Sequence, residues 1–175
     1  PPHPQTARAK LRLDAEKYLR QWAEEYAVEY LILRVAGIYG PGRLPVENIK
    51  QKAPILLPEE APFSNRIHAD DLARICVKAA TAGKPNTVYN VSDGNPGTVT
   101  DYYNTLADLL RLERPPTLSM AEAEQAMSPI RLSFLRESRR VENSKLIREL
   151  AVELRHPNLE SGIRASLEEM GLLSD

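Results

Sequence analysis

The run Tyr30-Leu31-Ile32-Leu33-Arg34-Val35-Ala36 limits the fold more than any other part of the chain. It is almost continuously apolar, rich in branched side chains and without clean alternation. A strand buried on both faces reads this way, and such strands belong to parallel sheets covered by helices. Gly37, Gly40, Pro41 and Gly42 then break it. Upstream, Leu11, Ala15, Tyr18, Leu19, Trp22 and Tyr26 recur at helical spacing, so Ala7–Tyr26 is predicted to be a helix with one buried face. Helix, parallel strand and Gly-rich turn make the tail of an α/β unit. A first strand already covered on both faces needs partner strands that this chain does not supply. An N-terminal half is therefore expected before it. The opening Pro1-Pro2-His3-Pro4 has no signal-peptide character and agrees with a start inside a longer protein.

Beyond the turn, residues 43–64 have weak periodicity and several prolines, and read as a loop region with one short helix. Arg66-Ile67-His68 is a short extended piece. Asp70 or Asp71 can cap a helix bearing Leu72, Ala73, Ile75, Cys76, Ala79 and Ala80, which Gly83 ends. Thr87–Val91 is a further strand, closed by Asp93-Gly94-Asn95-Pro96. The remainder is mainly helical. Thr98 with Asp101 and Ser119 with Glu122 are capping boxes, Pro115-Pro116 separates their helices, and Asn143 can cap a third. A last helix spans about Leu159 to Met170 and stops at Gly171.

The formal charge is −1, which excludes the basic field a general nucleic-acid binder needs. No apolar run is long enough to cross a bilayer. The single cysteine, Cys76, allows no internal disulfide and fits a reducing, cytoplasmic setting. It lies in the apolar stripe of its helix and reads as an inert core thiol.

Four segments in order resemble the extended short-chain dehydrogenases, the group of NAD-dependent sugar-nucleotide epimerases and dehydratases. Leu33-Arg34-Val35-Ala36-Gly37-Ile38-Tyr39-Gly40-Pro41-Gly42 resembles their LRxxNVYGPG segment. Arg66-Ile67-His68-Ala69-Asp70-Asp71-Leu72-Ala73 resembles IHVDDLA. Val88-Tyr89-Asn90-Val91 is similar to their YNV strand. Asn143-Ser144-Lys145, Glu149-Leu150, Pro157 and Gly162-Ile163 resemble their terminal segment. The resemblance implies the C-terminal part of a Rossmann-type doubly wound parallel sheet plus a small, mostly helical substrate lobe. Residues 1–95 would be the rear of the Rossmann-like domain, with a substrate-facing loop insertion at about 43–62, and residues 96–175 the lobe. Ligands of such sheets lie beyond the carboxyl ends of the strands. Val35, Ala36, Gly37 and Tyr39 would thus face an NAD or NADP nicotinamide, while Tyr39, Arg43, Arg139 and Arg140 would contact a small-molecule substrate, a nucleoside-diphosphate sugar or a relative of one. A homodimer through helices of the sheet domain is also implied, with Ala7–Tyr26 as a candidate.

The catalytic pair of that family is a Tyr four residues before a Lys, the Lys lowering the Tyr pKa. By position the Lys is Lys10, and the Tyr place holds Thr6. Aligning instead on Glu16 puts Arg8 and Arg12 there. No tyrosine in the chain has a Lys four residues later. Gly37 stands where the family has an Asn that touches the substrate. The chain also lacks the G-x-x-G-x-x-G turn that cradles a pyrophosphate, so by itself it is expected to hold no dinucleotide. Two readings follow: an atypical NAD(P)-dependent epimerase or oxidoreductase, or a non-catalytic module that senses a dinucleotide or holds a partner.

Plainer roles compete at each position. Lys10 reads as a solvated helix Lys once the Tyr is absent, and Tyr39 as a packing residue of the turn. Asp70 and Asp71 read as helix caps rather than an acid pair. Arg66 and His68 are expected to fix their segment by hydrogen bonds. His3, His68 and His156 have no ligand spacing, so no metal is expected. Most of Arg131, Arg136, Arg139, Arg140, Lys145 and Arg148 read as a solvated basic face.

Overall fold

The computed structural model describes residue 4 and residues 6–173. Helix α1, Ala7–Glu25, leads into strand β1, Leu31–Val35, and β2, Gly37–Tyr39. Helix α2, Val46–Lys50, and the short strands β3, Ile55–Leu56, and β4, Phe63–Ser64, occupy the expected loop region. Strand β5, Arg66–His68, opens helix α3, Ala69–Ala82, and β6 spans Thr87–Val91. The rest is β7, Gly97–Thr98; α4, Val99–Leu109; β8, Thr117–Leu118; α5, Met120–Ala126; α6, Pro129–Leu135; α7, Ser144–Leu150; and α8, Leu159–Glu169.

The parallel strand was expected to lack partners within this chain, and that is corrected on one side, where β6 pairs with it. β1 and β6 run parallel in the register Leu31↔Thr87 to Val35↔Val91. β2 and β5 are parallel, β3 and β8 are parallel, and β4 and β7 are antiparallel. The fold is mixed α/β with parallel strand pairs, as expected. The Gly37 break is corrected, however. The chain leaves β1 at Ala36, whose N–H donates to the Val91 carbonyl at 2.9 Å, and passes straight into β2. The turn itself comes later, at Gly40 (φ 151°) and Gly42 (φ 71°), in a region where a side chain is strained.

The expected burial of α1 and β1 also needs correction. On α1 only Ala23 is buried; Leu11 and Tyr18 are each 71% exposed, and Trp22 and Tyr26 are exposed too. On β1 only Ile32 is buried, and Val35 is exposed. Among the described residues the outer edge of β1 has no strand partner, and the residues of the α1 stripe are exposed. What holds α1 to β1 is polar. Arg34 donates through Nε and a terminal nitrogen to both Glu16 oxygens, at 2.8 and 2.6 Å. That hydrogen bond holds the Glu16 carboxyl below its usual range, against the upward push of burial.

Two main cores lie beneath. One packs Tyr39, Ile49, Tyr102, Leu106, Ile163 and Leu167; the other packs Ile67, Ile75, Tyr89, Val91, Leu146 and Leu150. Both mix residues from the strands before residue 95 with helices after it, because α7 and α8 return to the sheet. The capping boxes Thr98–Asp101 and Ser119–Glu122 are both formed. The α3 cap is corrected: the Nδ1 atom of His68 accepts the Asp70 N–H at 3.2 Å, so His68 caps the helix. Asp71 points away to accept the backbone N–H groups of Arg155 and His156 at 2.8 and 2.9 Å. Asn143 occupies the N-cap of α7 without bonding it; its amide donates to the Ser92 carbonyl at 2.7 Å and ties α7 to the end of β6. Cys76 is exposed, since the buried side of α3 carries Asp71, Ile75 and Ala79. No helix is long and apolar enough to cross a membrane among the described residues.

Candidate functional site

The carboxyl ends of β1 and β6 carry the first group of expected site residues. Val35 and Gly37 are exposed and Ala36 is half-buried. The segment after α6 is stitched beside them. Arg139 N–H donates to the Phe63 carbonyl at 3.1 Å, and Phe63 N–H to Ser138 Oγ at 3.1 Å. The Asn65 side chain bridges both ways, donating to the Arg139 carbonyl at 3.0 Å and accepting Val141 N–H at 2.8 Å. The Asn65 carbonyl accepts Gly37 N–H at 3.0 Å. The segment bearing Arg139 and Arg140 is thereby brought to the strand that bears Gly37.

Thr6 caps α1 with its Oγ1, which accepts Ala9 N–H at 3.2 Å and donates to Glu137 Oε1 at 2.6 Å. Arg8 lies 3.3 Å from the same carboxylate and 4.0 Å above the Phe134 ring, and Arg139 pairs with its other oxygen. Burial raises the Glu137 pKa; the Thr6 hydrogen bond and the charges of Arg139 and Arg8 outweigh it, and the net shift is downward. Glu137 is therefore an ionised anchor and a weak base. The sequence reading passed over it, although it is the one acid between Arg131 and Arg140. Lys10 is exposed on α1, without an ion pair among the described residues.

The other expected residues disperse. Tyr39 has no exposure at all. It packs edge-on against His68 at 5.3 Å and Tyr102 at 6.3 Å, with its hydroxyl buried and unpartnered. This is the packing role, and burial pushes its phenol far above the ordinary value. Arg43 is exposed beyond the turn, and Arg140 lies 3.8 Å over the Phe63 ring. A cleft of about 450 Å³ sits at the opposite end of the sheet beside Tyr30 and Asn86, at the amino ends of β1 and β6.

A smaller cleft lies between Ser64, Arg66, Asp93, Asn95, Gly97, Thr98 and Leu159. Among the described residues the Arg66 side chain makes no hydrogen bond, so it does not fix its segment as expected. Its guanidinium instead stacks 3.7 Å over Tyr102, and burial pushes its pKa down. Burial pushes Asp93 up to about 6, against the Asn95 N–H and the Arg66 charge, which lower it.

His68 does bond as expected. With Nδ1 accepting from Asp70, the proton resides on Nε2, which donates to Ser166 Oγ at 3.0 Å. Ligand atoms of His68, Asp70 and His156 come within 4.8 Å of one another, a proximity that sequence spacing did not reveal. Both His68 nitrogens are already engaged, so the trio offers no ready tridentate site. His3 lies outside the described residues. Burial, and then the charge of His156, lower the His68 pKa. An unfolded His titrates near about 6.5. Below that pH the unfolded chain takes up the proton first, so the stability His68 contributes is complete above about pH 6.5 and is lost as pH falls toward the folded value. Asp93 works in the opposite direction below about pH 6. The expected result is that urea midpoints measured from pH 7.5 to 5.5 fall more steeply for the native chain than for His68→Asn.

Residues 1–92 match the sequence profile of the NAD dependent epimerase/dehydratase family, and the chain belongs to that family. No curated protein matches it. A conserved protein of unknown function from Silicibacter pomeroyi is 32% identical with a TM-score of 0.86, aligned over 97% of this chain and 58% of its own. The UDP-glucose 4-epimerase of Thermotoga maritima, solved with UDP-glucose, is 23% identical with a TM-score of 0.76, over 97% and 55%. The UDP-glucuronic acid 4-epimerase of Bacillus cereus, solved with NAD, is 16% identical with a TM-score of 0.73, over 99% and 55%. The last two establish likeness of fold, and the chain spans little more than half the length of each of the three.

Proposed function

We propose that this chain is the C-terminal part of an NAD(P)-dependent enzyme acting on a nucleoside-diphosphate sugar or a related small molecule in the cytoplasm. Residues 1–95 serve as the rear of its Rossmann-like domain, and residues 96–175 as the lobe that receives substrate. The observation that carries this reading is the open carboxyl end of β1, with Val35, Ala36 and Gly37 accessible beside the lobe segment of Arg139 and Arg140. The uncovered α1 stripe and β1 edge support a further stretch of protein, or a second subunit of a homodimer, packed against them.

The residues present fit only one end of a dinucleotide. Val35 and Gly37 offer an open strand end for a nicotinamide, while this chain has no glycine turn for the pyrophosphate. When bound, the nicotinamide supplies hydride transfer. This chain positions the substrate through Arg139, Arg140 and Arg43. Thr6, whose hydroxyl is held by Glu137, does not move the proton, so the acid/base group lies elsewhere in the whole protein. The Thr6 substitution also favours a second reading, a dinucleotide-sensing module without turnover.

Assaying the full-length protein with NAD and NADP against a panel of nucleotide sugars separates the two. The enzyme reading expects turnover with at least one sugar, and a reduced rate in Lys10→Met. Saturable cofactor binding without turnover on any sugar would establish the second reading instead.

A further inference from the structure

His68 and His156 lie ring on ring, with centroids 3.9 Å apart and planes tilted by 40°. They come from distant parts of the chain: His68 ends β5, and His156 sits in the linker between α7 and α8. His68 is 2% exposed and His156 is half-buried, so His156 forms the outer wall of the His68 site. Tyr39 closes another side, edge-on. The hydrogen bonds leave His68 no place for a second proton. The Ser166 hydroxyl donates to the Gly162 carbonyl at 2.6 Å, so its oxygen is left to accept from Nε2. Nδ1 faces a donor, the Asp70 N–H. A proton on Nδ1 would set donor against donor and remove the cap of α3.

The acids that face His68 do not rescue that charge. They are Asp70 and Asp71 from α3 and Glu169 from α8; all three favour a protonated ring, but burial together with His156 outweighs them. Asp71 is moreover committed to the backbone N–H groups of Arg155 and His156. A ring that takes up a proton must therefore leave this pocket to be solvated. Tyr39 and Ser166 hold the inner sides, so the way out is past His156, and the linker moves with it. The turn after β2 lies against the same ring: a Cβ at Gly40 would stand 3.6 Å from His68 Nε2. His68 also pairs in register with Tyr39 at the end of β2. Departure of His68 thus loosens the turn that leads to Arg43.

We propose that the His68–His156 stack is an acid-opened clasp. It is closed near neutral pH by the hydrogen bonds of an uncharged His68. In mild acid both rings are expelled, which frees the α7–α8 linker and the Gly40–Gly42 turn while the strand pair β1–β6 stays folded. Under the NAD(P) reading the clasp sets the pH range in which the turn before Arg43 is ordered. The clasp itself does not depend on that reading, because its test uses no ligand.

The test is hydrogen exchange of the full-length protein, followed by mass spectrometry at about pH 7.5 and about pH 5.5, with each rate divided by the intrinsic rate at that pH. In the native protein the amides of residues 155–166 and of Gly40, Gly42 and Arg43 lose about tenfold in protection between the two, and those of Thr87–Val91 lose none. His68→Asn keeps a cap acceptor without a titrating proton, so its protection is the same at both pH values. His156→Gln removes the second imidazole and reduces the loss to about threefold. A native linker whose protection does not change overturns the proposal, and so does a loss that survives His68→Asn in full. Equal losses in the linker and in Thr87–Val91 overturn it too, since the whole fold would then be opening.

Discussion

Gly162→Ala is expected to destabilise the fold by roughly 3 kcal/mol, the upper end of overpacking effects. Gly162 is a buried position of α8, and an added Cβ would stand 2.1 Å from the Tyr39 hydroxyl and 2.7 Å from Tyr39 Cζ. Tyr39 cannot retreat, because His68 and Tyr102 wall its ring edge-on. The helix cannot retreat cheaply either, since Ile163 and Leu167 sit in the same core. The Tyr39 hydroxyl, which would meet the new methyl first, has no partner of its own. Tyr39→Phe should therefore stabilise the native chain by about 1 kcal/mol, by removing an unpaired buried polar group. In the double variant it should restore part of what Gly162→Ala costs. Urea unfolding of the four proteins reads this directly as a coupling energy. A neutral Gly162→Ala would mean that Tyr39 does not fill the core as described. The same variant bears on function: a Tyr39 without exposure touches no substrate, so Tyr39→Phe should leave any turnover of the full-length protein intact.

Asp71→Ala is the second large effect, a loss of roughly 3 kcal/mol. The carboxylate is 1% exposed and holds the backbone N–H groups of two successive residues, Arg155 and His156. Those bonds fasten the segment between α7 and α8 to the start of α3. Removing the carboxylate leaves both donors without an acceptor. Asp71→Asn keeps one acceptor but sets an amide N–H₂ against the other donor, so it recovers only part of the loss. A lowered urea midpoint at unchanged slope is the expected signature; a midpoint equal to the native one would contradict it.

What the sequence made legible follows from the range of the forces involved. Thr87–Val91 and both capping boxes rest on neighbouring residues, and they formed as read. The strand at Leu31–Val35 was legible from its apolar run. Its burial was not, because burial depends on what packs there, and among the described residues little does. The two-residue strands β3, β4, β7 and β8 are too short to carry a period, and exist only because distant segments meet. β2 was hidden by Gly37, whose usual role as a breaker gave way to pairing with Arg66. In the site, family likeness gave Thr6 and Lys10 as the expected positions of the catalytic pair. Glu137 could not, since its importance lies in contacts 131 residues away in the chain. Arg66 read as a bonded strand residue, and its stacking on Tyr102, a residue 36 positions on, could not be read from spacing.

The central claim is that β1 and the lobe of this chain form one wall of a dinucleotide site completed by the rest of the protein. Equilibrium titration of the full-length protein with NADH and NADPH tests it most directly. The account predicts saturable binding of at least one of them at one site per chain, and none to residues 1–175 alone. Failure of the full-length protein to bind either dinucleotide would contradict it.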